Sequence, residues 1–289
     1  MPRTVVITGA SSGIGRGLAI ACAARGDNVV VAARRAEVLQ ALASELGNAI
    51  AVSVDVGEPE GMAQLRAAAC EAFGHVDVWV NNAGVGVAGE FHKVPLVDHL
   101  RAIKTSLDGV VIGSHLALEH FVARGSGVVI NVGSASSKTV LPYYSSYASS
   151  KAAVEELGKC LHRELRLNGY DAVHVCTLNP WVVDTPWFEH AGNYTGHELN
   201  MPLYDDPDAV VAAILELMIK PRERVELKLS KVPALISKIL PGTSDAFSSK
   251  VVQQYIDQAP PAPFTSGALH KPMTGGVGVT ANLRDRPTL

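Results

Sequence analysis

The sequence predicts an α/β fold: a doubly wound parallel sheet in a single domain, followed by an extended C-terminal tail. Three observations predict it. Short β-branched runs recur as far as Leu229, Ala/Leu-rich stretches of helical period lie between them, and a glycine-rich turn joins the first run to the first stretch. Nearly continuous apolarity suits strands covered on both faces, as in a parallel sheet. The intervening helices supply the right-handed crossovers that parallel strands need.

The first strand is read over Thr4 to Thr8 and its helix over Gly15 to Arg25. A strand at Asn28 to Ala32, a helix at Glu37 to Leu46, a strand at Ile50 to Val54 and a helix at Met62 to Phe73 repeat the unit. Further strands follow at Val76 to Val80, Val128 to Val132 and Val173 to Leu178, with a seventh, shorter one at Val225 to Leu229. Pro186 to Tyr204 reads as an aromatic-rich excursion, and Asp206-Pro207-Asp208 as a capped helix start with an acid near the dipole. Beyond Pro260 the prolines and the Gly275-Gly276 pair punctuate an irregular stretch. The expected organisation is one catalytic domain over 1–257, with a substrate loop at about 186–204, and a Pro/Gly-rich tail over 258–289.

Bulk properties exclude several classes. A chain of 289 residues, 47% apolar and 18% charged, has ordinary globular composition and enough length for one large core. Its net charge of −3 is spread without blocks of one sign, which argues against nucleic acid as a partner. The apolar run beginning at Thr4 leaves no room for a signal peptide, and no stretch has membrane-spanning length, so a cytoplasmic protein with no integral membrane segment is expected. Cys22, Cys70, Cys160 and Cys176 lack a paired spacing and fall in apolar patterns, which reads as buried thiols. The Asn193-Tyr194-Thr195 sequon carries no weight without secretion. None of the 10 histidines has a metal-binding spacing, so no metal is expected and surface or core positions are their default.

Between the first strand and helix lies Thr8-Gly-Ala-Ser-Ser-Gly-Ile-Gly15. A turn there needs positive φ, and a pyrophosphate needs backbone N–H groups at a helix N-terminus without a Cβ in the way. Gly9, Gly13 and Gly15 meet both needs, with Ser11, Ser12 and Ile14 beside them, as in a Rossmann-like dinucleotide site. This spacing resembles the compact single-domain branch of the short-chain dehydrogenase/reductases. The resemblance extends to Asn81-Asn82-Ala83-Gly84 after the fourth strand and Asp55-Val56 after the third, and runs from Thr4 to about Leu229. It implies an adenine-side role for these residues. At the end of the second strand a carboxylate suits the 2′-hydroxyl of NAD, whereas arginine suits the 2′-phosphate of NADP. The family's acid would fall at Ala33, and Arg34-Arg35 follow, so NADP(H) is expected; the alternative is a solvated pair at a helix start.

Tyr147 and Lys151 stand at i and i+4 in an alanine-rich helical stretch, so phenol and ammonium share a face. The resemblance implies that they form the catalytic pair and touch the cofactor, with Ser134 at the end of the fifth strand as the catalytic serine. A tyrosine ordinarily titrates near 10, and a neighbouring cation is expected to lower that value. Ser136, Ser137, Ser145 and Ser146 read as turn or capping residues. Two departures stand out. Ser106 occupies the place of the family's asparagine in Ser106-Leu-Asp-Gly109, and Trp181 replaces a glycine in Pro180-Trp-Val-Val-Asp-Thr185. By the resemblance, Ser106 stands in the proton-relay position, while Pro180, Val183 and Thr185 hold the nicotinamide carboxamide.

The expected function is NADP(H)-dependent interconversion of a lipophilic carbonyl compound and its alcohol. The alternatives are a non-catalytic nucleotide sensor of the same fold and a 3-oxoacyl thioester reductase. Leu141, Tyr143, Trp181, Trp187 and Phe188 are expected to line the substrate pocket, with Tyr194, Met201 and Tyr204 in the loop over it. A stripe of Val232, Leu235, Ile236, Ile239 and Leu240 packs on the core, faces the cleft, or lies on a membrane surface. The resemblance implies a homodimer or homotetramer through the Tyr147 helix and the helix before the fifth strand; Ala148, Ala152 and Ala153 permit close approach there unless they serve the core.

Overall fold

A computed structural model describes residues 2–201, 203–227 and 243–285. Seven strands form one all-parallel sheet in the order β3-β2-β1-β4-β6-β7-β9. They are β1 (Thr4–Thr8), β2 (Asn28–Ala33), β3 (Ala49–Ser53), β4 (Val78–Asn81), β6 (Gly127–Val132), β7 (Val173–Asn179) and β9 (Arg224–Glu226). The stripe from Val232 to Leu240 and the end of the expected seventh strand lie outside the described residues. Registers run without a slip, from Thr4 opposite Asn28 to Val132 opposite Leu178.

Helices cover both faces, as the two-sided apolarity of the strands requires. Helices α1 (Gly13–Ala24), α2 (Ala36–Leu46) and α8 (Pro207–Leu217) belong to the cluster around Val5, Ile7, Leu18 and Ile214. Helices α3 (Pro59–Phe73), α5 (Gly109–Arg124) and α6 (Ser145–Leu167) belong to the other, around Val6, Trp79, Phe121 and Val175. The Asp206 carboxylate caps α8 by accepting from the Asp208 amide at 2.9 Å, so the proline-acid start works as its sequence predicts.

The excursion after β7 holds a short helix α7 (Trp187–His190) and β8 (Gly192–Asn193), which pairs in parallel with β5 (Val87–Ala88). Helix α9 (Thr243–Gln258) then brings Val252 and Ile256 against Met201, Phe188 and Leu141. Residues 259–285 run back along the carboxyl edge of the sheet. Leu269, fully buried, fixes this segment in a small core with Val85, Val87, Val94 and Ala102.

Some expectations need correction. Cys22 and Cys176 are buried, but Cys70 is half-buried and Cys160 exposed, because Cys160 falls on the outward face of α6. Asn193 is buried, its amide donating to His197 O at 2.7 Å. No helix among the described residues is long and apolar enough to cross a membrane.

Candidate active site

The strand order reverses between β1 and β4, which opens a crevice at the carboxyl ends of the sheet. The β1–α1 turn forms its floor. Gly9 and Gly13 have φ of 68° and 56°, where side chains are strained. Space is equally restrictive: a Cβ on Gly9 would lie 2.8 Å from Ala83 Cα, and one on Gly15 2.5 Å from Gly9 O. The Thr8 hydroxyl donates to Val80 O at 3.2 Å and accepts from the Asn82 and Ala83 amides at 3.0 and 3.1 Å. The Asn82 side chain donates back to Thr8 O at 2.8 Å. Asn82, Ala83 and Gly84 are thereby locked beside the glycine turn.

In the first turn of α1, Arg16 N closes on Ser12 O and Gly13 N donates to Gly278 O at 2.8 Å. That leaves the amides of Ile14 and Gly15 for an anion at the positive end of the helix. Thr185 covers Gly13 from the opposite wall, with Val183 and Pro180 next to it. A cradle that admits no Cβ, at a helix N-terminus with two such amides, fits a dinucleotide pyrophosphate.

Ala33 leaves no carboxylate at the end of β2, and Arg34 and Arg35 line the crevice there. Both are held by the C-terminal segment, which the sequence did not suggest. The Arg34 guanidinium donates to Leu269 O at 2.8 Å and to Ala268 O. Arg35 donates through Nε to Ser11 Oγ at 3.1 Å and through Nη1 to Gly275 O at 2.8 Å. Arg35 is thus a staple between the glycine turn and the tail. Asp55 pairs with Arg101; burial alone would raise this carboxyl, but the bonds from Arg101 and the Gly57 amide hold it below its ordinary range. Val56, buried, packs against Gly109.

Ser134, Tyr147 and Lys151 converge on one wall. The extended Ser134 caps a turn of 3₁₀-helix (Ala135–Ser137) by accepting from the Ser136 amide at 3.1 Å, and its side chain hydrogen-bonds Tyr147. Its amide donates to Asn179 Oδ1 at 3.1 Å; Asn179 in turn donates to the buried Glu155. Lys151 Nζ donates to Val132 O at 2.7 Å and lies 5.8 Å from the centre of the Tyr147 ring. Burial pushes Tyr147 up to about 12 despite the Ser134 bond, and pushes Lys151 down to about 8. The expected net lowering of the tyrosine does not occur in the protein alone: desolvation dominates, and what opposes it is the Ser134 bond.

Ser106 sits in a turn of π-helix (Lys104–Asp108) between α4 (Leu96–Ile103) and α5. Its hydroxyl donates to Val85 O at 2.7 Å and accepts from Val85 N at 3.1 Å. These two bonds anchor the loop after β4 to the π-turn, next to Gly84 and Lys151.

The substrate end is aromatic. Trp187 stands 5.0 Å from the Tyr147 ring, centre to centre, and Phe188 packs edge-on against it. Leu141, Trp181 and Met201 also line the crevice. Tyr143, expected there, has φ of 68° and sends its hydroxyl to Gln253, so Tyr144 lines the wall instead. Tyr194 also points elsewhere, donating to Asp98 Oδ2 at 2.6 Å. Tyr204 stays near, edge-on to Phe188. Ser146 is no cap: its hydroxyl is 3.0 Å from His99 Nδ1. Sequence reasoning missed His190, Ala268, Pro272 and Met273, which line the crevice from α7 and the tail. Only the folded chain brings them there.

Residues 3–194 match the protein family described as short chain dehydrogenase. The chain is 35% identical to an uncharacterized oxidoreductase, YxnA, of Bacillus subtilis, over 86% of this chain and 72% of that one. It is 35% identical to 3beta-hydroxysteroid dehydrogenase 1 of Eggerthella lenta, over 73% and 77% of the two chains. An alcohol dehydrogenase of Thermococcus sibiricus, solved with 5-hydroxy-NADP, superposes with a TM-score of 0.67 at 27% identity, covering 78% of this chain and 96% of that one.

Proposed function

The chain belongs to the short-chain dehydrogenase/reductase family of oxidoreductases, and from that premise we propose that it is an NADP(H)-dependent enzyme interconverting a lipophilic carbonyl compound and its alcohol. One observation carries the reading: Ser134, Tyr147 and Lys151 face the same crevice as the glycine turn. When bound, the nicotinamide dinucleotide supplies or takes up a hydride; the other roles fall to the chain.

In reduction, the Tyr147 hydroxyl gives its proton to the carbonyl oxygen, and its high pKa keeps it protonated for that step. Ser134 hydrogen-bonds the same oxygen as charge develops on it. Lys151 has three N–H donors, of which Val132 O takes one, leaving two for ribose hydroxyls. Its ammonium also stabilises the tyrosinate left after proton transfer. Ile14 and Gly15 bind the pyrophosphate, and Val183 and Thr185 orient the carboxamide. The absence of an acid at Ala33 and the charge of Arg34 support NADP(H) over NAD(H).

The aromatic wall of Trp187 and Phe188, backed by Val252 and Ile256 of α9, favours an apolar substrate. A similar relative's steroid activity is in keeping with this. The test follows NADPH absorbance with a panel of apolar ketones, sugars and small keto acids. Oxidation of NADPH by the apolar ketones is expected; no turnover of any carbonyl would overturn the reading.

A further inference from the structure

The segment from Ala259 to Arg284 is fastened along its whole length. Thr265 pairs with Asn193 in an antiparallel bridge, and Ala268 N donates to His190 O at 2.8 Å. His270 meets the buried Asp98 at 2.7 Å, Gly275 and Gly276 hold Arg35, and Gly278 takes the Gly13 amide. Asp184 then receives the Leu283 amide at 2.9 Å and the Arg284 side chain at 3.2 Å. Ala268, Pro272 and Met273 of this strap line the same crevice as Ala33, Arg34 and Asp55, so the strap passes over the end of β2, the side of the crevice that suits the adenosine ribose of a dinucleotide.

The contact with Arg34 is chemically specific. Nη1 donates to Leu269 O and Nη2 to Ala268 O, so the end-on fork of the guanidinium is filled by two carbonyls. That fork is an edge by which arginine grips a phosphate with two parallel bonds. A ribose 2′-hydroxyl can donate to carbonyl oxygens, but a 2′-phosphate has only acceptors to offer and is repelled by them. Arg101 Nε also donates to Leu269 O at 2.9 Å, which fixes that carbonyl in place.

We infer that the strap is a cofactor-specificity element: a 2′-phosphate must draw Arg34 away from Ala268 and Leu269, whereas a 2′-hydroxyl binds with the strap fastened. This rests on the dinucleotide reading above. NADP(H) therefore binds with the strap loosened at residues 265–273, and NAD(H) binds beneath it. Arg35, whose donors join Ser11 to Gly275 and Gly276, keeps the far half fastened in both cases.

The test uses the full chain. Hydrogen exchange of peptides covering residues 265–273 is measured with saturating NAD+ and with saturating NADP+. Faster exchange with NADP+ is expected; equal exchange, or slower exchange with NADP+, overturns the inference. Independently, Leu269→Ala weakens the buried anchor of the strap while leaving Arg34 in place. The ratio of the Kd for NAD+ to that for NADP+ should rise at least fivefold over the unmodified protein. A parallel change in both affinities, or a shift toward NAD+, overturns it. A wild-type preference for NAD+ would sink the NADP(H) assignment but not this inference, which is read from differences. Failure of both dinucleotides to bind sinks both.

Discussion

Tyr147 and Lys151 are both titratable, and burial moves them in opposite directions. The phenol, pushed up to about 12, remains a proton donor at every working pH. Tyr147→Phe keeps the ring against Trp187 and removes only the donor, so NADPH binding by fluorescence should be nearly unchanged while kcat falls by about a thousandfold or more. Lys151, pushed down to about 8, is charged below that value and neutral above it. The kcat/KM for ketone reduction should therefore fall as pH rises through about 8, because the ammonium that stabilises the tyrosinate is lost. An arginine stays charged in this range. Residual activity of Lys151→Arg should lack the falling limb in a pH–rate profile; a limb at the same pH would assign it to another group. Arg34 is the third residue with a clear expectation. A charge-assisted hydrogen bond contributes roughly 1.5–3 kcal/mol, so Arg34→Ala should reduce the preference for NADPH over NADH by roughly ten- to a hundredfold in kcat/KM. Equal use of both cofactors by the unmodified protein would remove the basis for the NADP(H) assignment.

At the scale of elements, the turns that position these side chains are short and densely tied. The Thr8 hydroxyl alone makes three bonds to the end of β4 and the residues after it. Ser106 holds the neighbouring loop from a π-turn. Its two bonds to Val85 tie the loop after β4 to the helix pair α4 and α5. The substrate wall is built differently, by packing of α7, the loop to Tyr204 and α9. If Trp187, Phe188 and Met201 enclose the substrate, each added methylene should contribute about 0.8 kcal/mol, or about fourfold in kcat/KM. A homologous series of methyl ketones measures this directly, and a flat or falling series would place the alkyl chain outside that wall.

On the scale of the whole molecule, apolar side chains stand exposed on the helices among the described residues. Leu96, Val97 and Leu100 of α4 are more than half exposed, and a shallow groove between α5 and α6 is lined by Val111, Leu118, Val122, Leu157 and Leu161. Ala152, exposed on α6, allows a second helix to approach closely. Exposed apolar side chains on helix surfaces favour self-association. Light scattering at micromolar concentration is expected to give twice or four times the 30.5 kDa mass of the chain. A single species of monomer mass would leave these side chains without that role.

How far the molecule was legible in its sequence depended on the range of the interactions. The β1–α1 turn was readable because positive φ and close approach demand glycine at Gly9, Gly13 and Gly15, and that demand is written in residue type. Alternation of apolar runs with helical stretches set the sheet and its two covering layers, since a strand buried on both faces must be apolar throughout. Helical spacing put Tyr147 and Lys151 on one face, and their place after Ser134 and the glycine turn, which resembles the family pattern, singled them out. Other features required the folded chain. Tyr143 and Tyr144 are neighbours of the same type, and only the left-handed backbone at Tyr143 decides which enters the crevice. The shifts of Tyr147 and Lys151 follow from burial, which depends on everything packed around them. The bonds from Arg34 to Ala268 and Leu269 join residues more than 230 positions apart. The tail meets the crevice through backbone carbonyls, which every residue possesses and which therefore leave no mark in a sequence. Residue type determined the cradle and the chemistry; tertiary structure decided what closes over them.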